Sequence, residues 1–249
     1  MVKVNNDMIQ QELFKQYKKE IERLNCESPK SLNLWNAIYF FIPWYRSVQP
    51  GANPLDDEIP WISFAAIAFL KKKLNKKMRV YEYGVGGSTI FFAKRVKEVI
   101  SCEHDPHWGK KVIKRLKKLN YKNYNIEIRE PILNSEGLDR NPSDVNSYIS
   151  SSPDLKNYSF QDYVESIEQY PDEYFDVVLI DGRARPSCLK HTLNKIKKNG
   201  YIILDNAERQ NYSEACAMVD NKNYPRWDFY SPGPYNLYFW KTCIWKKSN

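Results

Sequence analysis

From Trp61 onward the chain alternates between two rhythms of apolar and polar residues. Short runs rich in Val, Ile, Tyr and Phe recur between longer segments whose apolar residues lie three or four apart. The runs predict strands over Met78–Tyr83, Val99–Glu103, Asn125–Arg129, Phe175–Ile180 and Tyr201–Leu204. Two closing strands follow around Trp227–Tyr230 and Phe239–Trp245. The longer segments predict helices over Ile62–Leu74, Thr89–Val96, His107–Leu119, Phe160–Tyr170, Pro186–Lys198 and near Glu214–Val219, with Gly200 capping the fifth. FDVVLI, at Phe175–Ile180, reads as a strand buried on both faces of a parallel sheet. Strand and helix in regular alternation imply a three-layer α/β sandwich around a mostly parallel, seven-stranded sheet.

Two stretches fall outside that rhythm. Residues 1–55 read as an N-terminal helical extension to the main unit, 56–249. Its first helix, Asn5 to Asn25, carries Met8, Leu13, Ile21 and Leu24 among many charges and is expected to be mostly exposed. The second, Leu32 to Tyr45, is far more apolar and broken by Pro43. It could pack on the main domain, line a pocket or mediate a homodimer, and packing is favoured over a shallow membrane contact. Pro50, Gly51 and Pro54 mark a linker. Residues 131–159, rich in Ser, Asn and Pro, are expected to form an irregular insertion or lid.

Composition narrows the class only modestly. The chain is 42% apolar and 27% charged, ordinary for a globular protein. Its 38 basic and 30 acidic residues give a net charge of +8, which admits nucleic acid, anionic lipid or an acidic small molecule as partner. The lysines, however, are spread along helices, as in Lys71–Lys73 and Lys117–Lys118, with no nucleic-acid-binding signature among them. The five cysteines form no CxxC pair or metal spacing; Cys102 and Cys243 fall in predicted strands as small buried apolar groups. No signal core is visible, and the apolar run Ile62–Leu70 is far shorter than the ~20 residues a bilayer needs, so a cytoplasmic location is expected.

The strongest local signal is Val80-Tyr-Glu-Tyr-Gly-Val-Gly-Gly-Ser-Thr89, where a strand ends and a helix begins. Glycines there let the backbone turn tightly and approach a ligand closely. A dinucleotide fingerprint wants a third glycine at position 89, which is Thr. Glu82, two residues before Gly84, is poorly placed for a pyrophosphate and better suited to a cationic ligand. About 20 residues further on, Glu103 ends the second strand where such folds grip ribose hydroxyls.

Glu82, Gly84, Gly86 and Glu103 together resemble the class I S-adenosylmethionine-dependent methyltransferases, a likeness that covers roughly Trp61 to Trp245. It implies a Rossmann-like fold that binds S-adenosylmethionine. Gly84, Gly86, Ser88 and Thr89 would then surround the methionyl part, with Glu82 close by, Glu103 on the ribose and His104 beside the adenosine.

The chemistry should lie beyond the carboxyl ends of the strands. The fourth predicted strand runs into Asp181, Arg183 and Arg185, and the fifth into Asp205, Asn206, Glu208 and Arg209. Asp181, Arg183 and Asp205 are the candidate catalytic residues. Asp181, Asp205 and Asn206 resemble the divalent-metal site of catechol-type O-methyltransferases, and their oxygens could hold Mg²⁺. That group's lysine base is missing, since positions 183 to 185 read Arg-Ala-Arg. The arginines suit an anionic substrate group, or pair with Glu208 and neighbouring acids; both readings stay open. His191, inside a helix, is expected to be structural. The favoured function is O-methylation of a small, anionic or polyhydroxylated acceptor such as a sugar or glycan precursor. An RNA methyltransferase and a non-catalytic binding module are the alternatives, and an oxidoreductase is more distant.

Overall fold

The structure, a computed structural model, describes residues 6–28, 34–134 and 140–248. Expectations at Asn5, Leu32, Asn33 and residues 135–139 of the insertion lie outside the described residues. Helices α1 (Asn6–Glu27), α2 (Leu34–Ser47) and α3 (Pro54–Asp57) precede α4 (Phe64–Lys73). The alternating part follows as β1 (Arg79–Tyr83), α5 (Gly87–Ala93), β2 (Glu98–Glu103), α6 (Pro106–Lys118) and β3 (Tyr124–Ile128). A small hairpin of β4 (Ile132–Leu133) and β5 (Tyr158–Ser159) leads to α7 (Gln161–Glu165). The chain closes through β6 (Phe175–Ile180), α8 (Arg185–Lys195), β7 (Ile196–Leu204), α9 (Ser213–Asp220), β8 (Arg226–Ser231) and β9 (Trp240–Lys246).

The seven-stranded sheet has the order β3-β2-β1-β6-β7-β9-β8, parallel except where β9 pairs antiparallel with β7 and β8. The period-2 rule explains its two cores. Val80, Val99, Val177 and Leu179 face α4, α5 and α6, whereas Tyr81, Tyr83, Val178 and Ile180 face α7, α8 and α9. Asp176 interrupts the apolar run of β6 near its start, where it accepts from the Arg79 backbone N–H at 2.7 Å and from Lys197 Nζ at 3.1 Å. Buried Cys102 and Cys243 lie in β2 and β9 as expected.

Two expectations need correction. Gly200 does not cap α8: the helix stops at Lys195, β7 begins at the next residue, and Asn199 takes the left-handed conformation at φ 64°. Ile196 is drawn into the sheet because it pairs with Phe175. Pro43 does not break α2, which runs through it while Phe40 and Trp44 anchor the buried face. Helix α1 is mostly exposed, as expected, but one of its faces is packed on the rest of the chain. Tyr17 and Leu24 are buried, Glu20 Oε2 accepts from the Phe239 N–H at 2.8 Å, and Arg23 donates to the Phe239 carbonyl. Together with the Trp44 indole, which donates to the Asn236 carbonyl, these contacts fix the segment entering β9. That segment forms one rim of the site. Among the described residues, no helix is long and apolar enough to cross a membrane.

Candidate active site

Strand order reverses between β1 and β6, so the connections leaving these strands diverge and open a crevice at their carboxyl ends. A cavity of about 480 Å³ fills it, reaching from the glycine turn past Glu103 to Asp181, Asp205 and Trp240. Gly84 turns the chain at φ +92°, a left-handed conformation that disfavours a side chain. Its Cα side packs on the backbone of Gly182, the residue after Asp181. A Cβ on Gly182 would lie 2.0 Å from the Tyr163 hydroxyl and 3.0 Å from the Tyr83 carbonyl. The two glycines thus bring the β1 and β6 turns together.

Glu103 forms the floor of one half. Its Oε2 accepts from the Val85 N–H at 2.9 Å, and Oε1 from the N–H groups of His104 and Asp105 at 2.8 and 2.9 Å. Burial opposes the charge, but the His104 ring beside it and these backbone donors prevail, holding the carboxyl below its usual range. His104 Nδ1 lies 2.7 Å from Oε1, close enough to pair but poorly aligned for a hydrogen bond. Asp105 instead caps α6, accepting from the N–H groups of His107 and Trp108. Trp108, whose indole donates to the Val85 carbonyl at 2.6 Å, stands against Gly86 and completes that wall.

Glu82 and Thr89 lie behind the glycine turn rather than on the cavity surface. Glu82 is fully buried; its Oε1 accepts from the hydroxyls of Thr89 and Ser101, and Thr89 in turn accepts from the Gly86 N–H at 3.0 Å. Oε2 has no hydrogen-bond partner. Burial is the main cause that pushes the Glu82 carboxyl up to about 7, partly offset by the hydroxyls of Thr89, Ser101 and Ser88. An acid with a raised folded pKa stabilises the fold below its unfolded value, and that stability is lost as pH rises through the folded one. Across a shift from 4.5 to about 7, the loss is on the order of 3 kcal/mol. Glu82→Gln should therefore flatten the stability curve between pH 5 and 8, which urea titrations of both proteins would read. An unchanged slope would mean that Glu82 does not titrate in that window.

The other half of the cavity is organised by Arg185, buried at the start of α8. Its five N–H donors are all used. Nε donates to the Gly182 carbonyl, Nη1 to the Asp205 carbonyl and Asn206 Oδ1, and Nη2 to the carbonyl and Oδ1 of Asp181. Asp205, 2% exposed, also accepts from the Trp240 indole and the Thr242 hydroxyl. Asp181 keeps part of its surface open to the cavity. Burial raises the pKa of both carboxyls, and the Arg185 charge between them limits the rise.

No family model matches the chain, and no curated protein is similar to it in sequence. Solved structures do match. A methyltransferase from Geobacter sulfurreducens shares 10% identity, with 88% of this chain and 99% of that one covered and a TM-score of 0.54. A suggested rRNA methylase from Clostridium thermocellum shares 16% identity over 74% of this chain and 95% of that one, at a TM-score of 0.51. The chain has the class I S-adenosylmethionine-dependent methyltransferase fold. On that methyltransferase fold, nine of the sequence-predicted residues line the one cavity: Gly84, Gly86, Ser88, Glu103, His104, Asp181, Arg183, Asp205 and Asn206.

S-adenosylmethionine fits the donor set on this fold. A turn with glycine at positions 84, 86 and 87 faces an ionised carboxylate, with an indole and an imidazole beside them. The Mg²⁺ expectation does not fit. Asp181, Asp205 and Asn206 do converge, but on the Arg185 guanidinium, and the remaining oxygens of Asp205 face Trp240 and Thr242. A fixed organic cation stands where the metal was expected. The sequence left open whether Arg183 and Arg185 meet a substrate or pair with nearby acids, and it did not single out Arg185 as the centre on which Asp181, Asp205 and Asn206 converge. Trp108 and Ser101 were also missed; each lies within an element whose periodicity explains it as packing.

Proposed function

We propose that the protein is an S-adenosylmethionine-dependent methyltransferase that methylates a hydroxyl of a small polyhydroxylated acceptor without a metal ion. The observation that carries this reading is the face-to-face placement of the glycine turn and Glu103 against Asp181 within one cavity. Gly84 to Ser88 and Glu103 would hold the cofactor, with His104 and Trp108 flanking it. When bound, the cofactor supplies an electrophilic methyl group on a sulfonium. Asp181 is the group on the acceptor side with an open carboxylate oxygen, and its raised pKa suits it to take the hydroxyl proton as the acceptor oxygen attacks. Arg185 keeps that carboxylate ionised and aimed.

The acceptor class rests on the rim. Trp61 and Tyr238, both nearly half exposed, stand with Asn236 around the mouth, and buried Asn206 lies on the wall below them. Aromatic faces beside amide groups suit a sugar ring, with its apolar C–H face and polar edge. The test has two stages. Calorimetric titration with S-adenosylhomocysteine should give micromolar binding; no binding by folded protein would sink the reading and favour a non-catalytic module. Methyl transfer to a panel of sugars and sugar phosphates, followed by mass spectrometry, should then persist in excess EDTA. Loss of turnover on chelation, restored by Mg²⁺, would overturn the metal-free part.

A further inference from the structure

A second cavity of about 310 Å³ adjoins the first and shares Gly182, Arg183, Arg185 and Arg209 with it. Its outer wall comes from the insertion, through Pro142, Ser150, Ser151 and Ser152. The insertion is docked there: the Tyr148 N–H donates to Ser187 Oγ in the first turn of α8, and the Tyr148 hydroxyl lies 3.2 Å from His191 Nε2. Three arginines line this annex and no carboxylate does. Arg185 is neutralised internally. Arg183 and Arg209 make no close ion pair among the described residues, and Asp181, beyond the annex wall, acts on them only at longer range. Arg209 donates to the Tyr212 hydroxyl at 3.3 Å and lies 5.8 Å from the centroid of that ring, and Glu208, the acid nearest in sequence, accepts from the Lys241 N–H instead.

Two unpaired guanidinium groups at the walls of a serine-lined cavity make a site for an oxyanion. A carboxylate offers two oxygens, which one arginine fork already satisfies. A phosphate offers three terminal oxygens and can use both arginines together with serine hydroxyls. Ser150 Oγ accepts from the Ser152 N–H, which leaves its own proton free to donate. We infer that this annex binds the phosphate group of the acceptor, so that the substrate is a phosphorylated small molecule whose hydroxyl-bearing part reaches Asp181. The inference rests on the methyl-transfer reading for what happens in the first cavity, but not for the binding of phosphate in the second.

The test is calorimetric titration of the whole chain with pyrophosphate at low salt. Wild type should bind, and the double variant Arg183→Gln/Arg209→Gln should bind at least tenfold more weakly while its affinity for S-adenosylhomocysteine changes less than twofold. Lys71→Gln/Lys72→Gln, which removes two positive charges on α4, should leave pyrophosphate binding unchanged. Equal weakening in both double variants would show diffuse charge and overturn the site, as would no binding by wild type. Tighter binding of glucuronate than of pyrophosphate would overturn the phosphate assignment. Arginine-dependent pyrophosphate binding in a protein that ignores S-adenosylhomocysteine would uphold the annex and remove only the methyltransferase reading.

Discussion

Arg185→Ala should destabilise the protein by about 3–5 kcal/mol, a large part of the ~5–15 kcal/mol that holds a typical domain together. The reason is what the guanidinium leaves behind. Its removal orphans the carbonyls of Asp181, Gly182 and Asp205 and the Asn206 amide oxygen at once. It also strands two nearby carboxyls, Asp181 and Asp205, without the charge that offsets them. Both would then titrate upward, so the variant should lose most stability at alkaline pH, where both must ionise, and less in mild acid. Arg185→Lys should recover only part of the loss, because one ammonium has three donors for a set of acceptors that now engages five. Urea unfolding at pH 5.5 and 8 reads both effects. If Arg185→Ala stayed within about 1 kcal/mol of wild type at pH 8, the cluster would not be holding these turns together.

That cluster also shows where sequence reading reaches its limit. The strands and the glycine turn were legible because each is written locally, in a period of two or in Gly84 at the end of an apolar run, and the alternation of strand with helix implied a mostly parallel sheet. Glu103 was legible because its distance from Gly84 is set by one helix and one strand. Arg185 was not. Its partners lie at the ends of β6 and β7, and only the parallel pairing of those strands brings Asp181 and Asp205 to the same place. Asp181, Asp205 and Asn206 at neighbouring strand ends suggested a metal site only through their resemblance to that of catechol-type O-methyltransferases. The structure puts a guanidinium among them, and the chemistry changes from a removable ion to a covalently built cation. Similarly, the charge pattern of Asn6–Glu27 said nothing of its partner, since Glu20 and Arg23 clasp Phe239, more than 200 residues away in sequence.

The two arginine readings left open by the sequence are separated by the same geometry. Arg185 pairs with internal acids and belongs to the fold. Arg183 and Arg209 sit on the ridge between the two cavities and remain available to a ligand. One Arg-Ala-Arg run therefore carries both roles, divided by Ala184. Its φ of 46° turns the chain so that α8 starts at the buried arginine and not at its neighbour.

The cofactor half depends most on Glu103, and Glu103→Ala should weaken S-adenosylhomocysteine binding roughly 100-fold. A charged hydrogen bond contributes about 1.5–3 kcal/mol, and under the proposed cofactor placement Glu103 would take up two ribose hydroxyls, so the lower end of that range for both already reaches two decades in Kd. Its pKa lies below the usual range, so the carboxylate is ionised throughout neutral pH and the effect should not vary between pH 6 and 8. The change also releases the N–H groups of Val85, His104 and Asp105, so some stability will go with it. That part has its own signature. A group with a depressed folded pKa stabilises the fold above its unfolded value and loses this as pH falls through the folded one, so variant and wild type should converge in stability only in acid. Glu103→Gln separates the two roles, because it keeps the shape and one accepting oxygen but presents an amide donor toward backbone N–H groups that also donate. Calorimetry on folded Glu103→Gln should still show at least a tenfold loss. Binding within threefold of wild type would mean that Glu103 only ties its own loop together, and that the ribose is held elsewhere on the cavity wall.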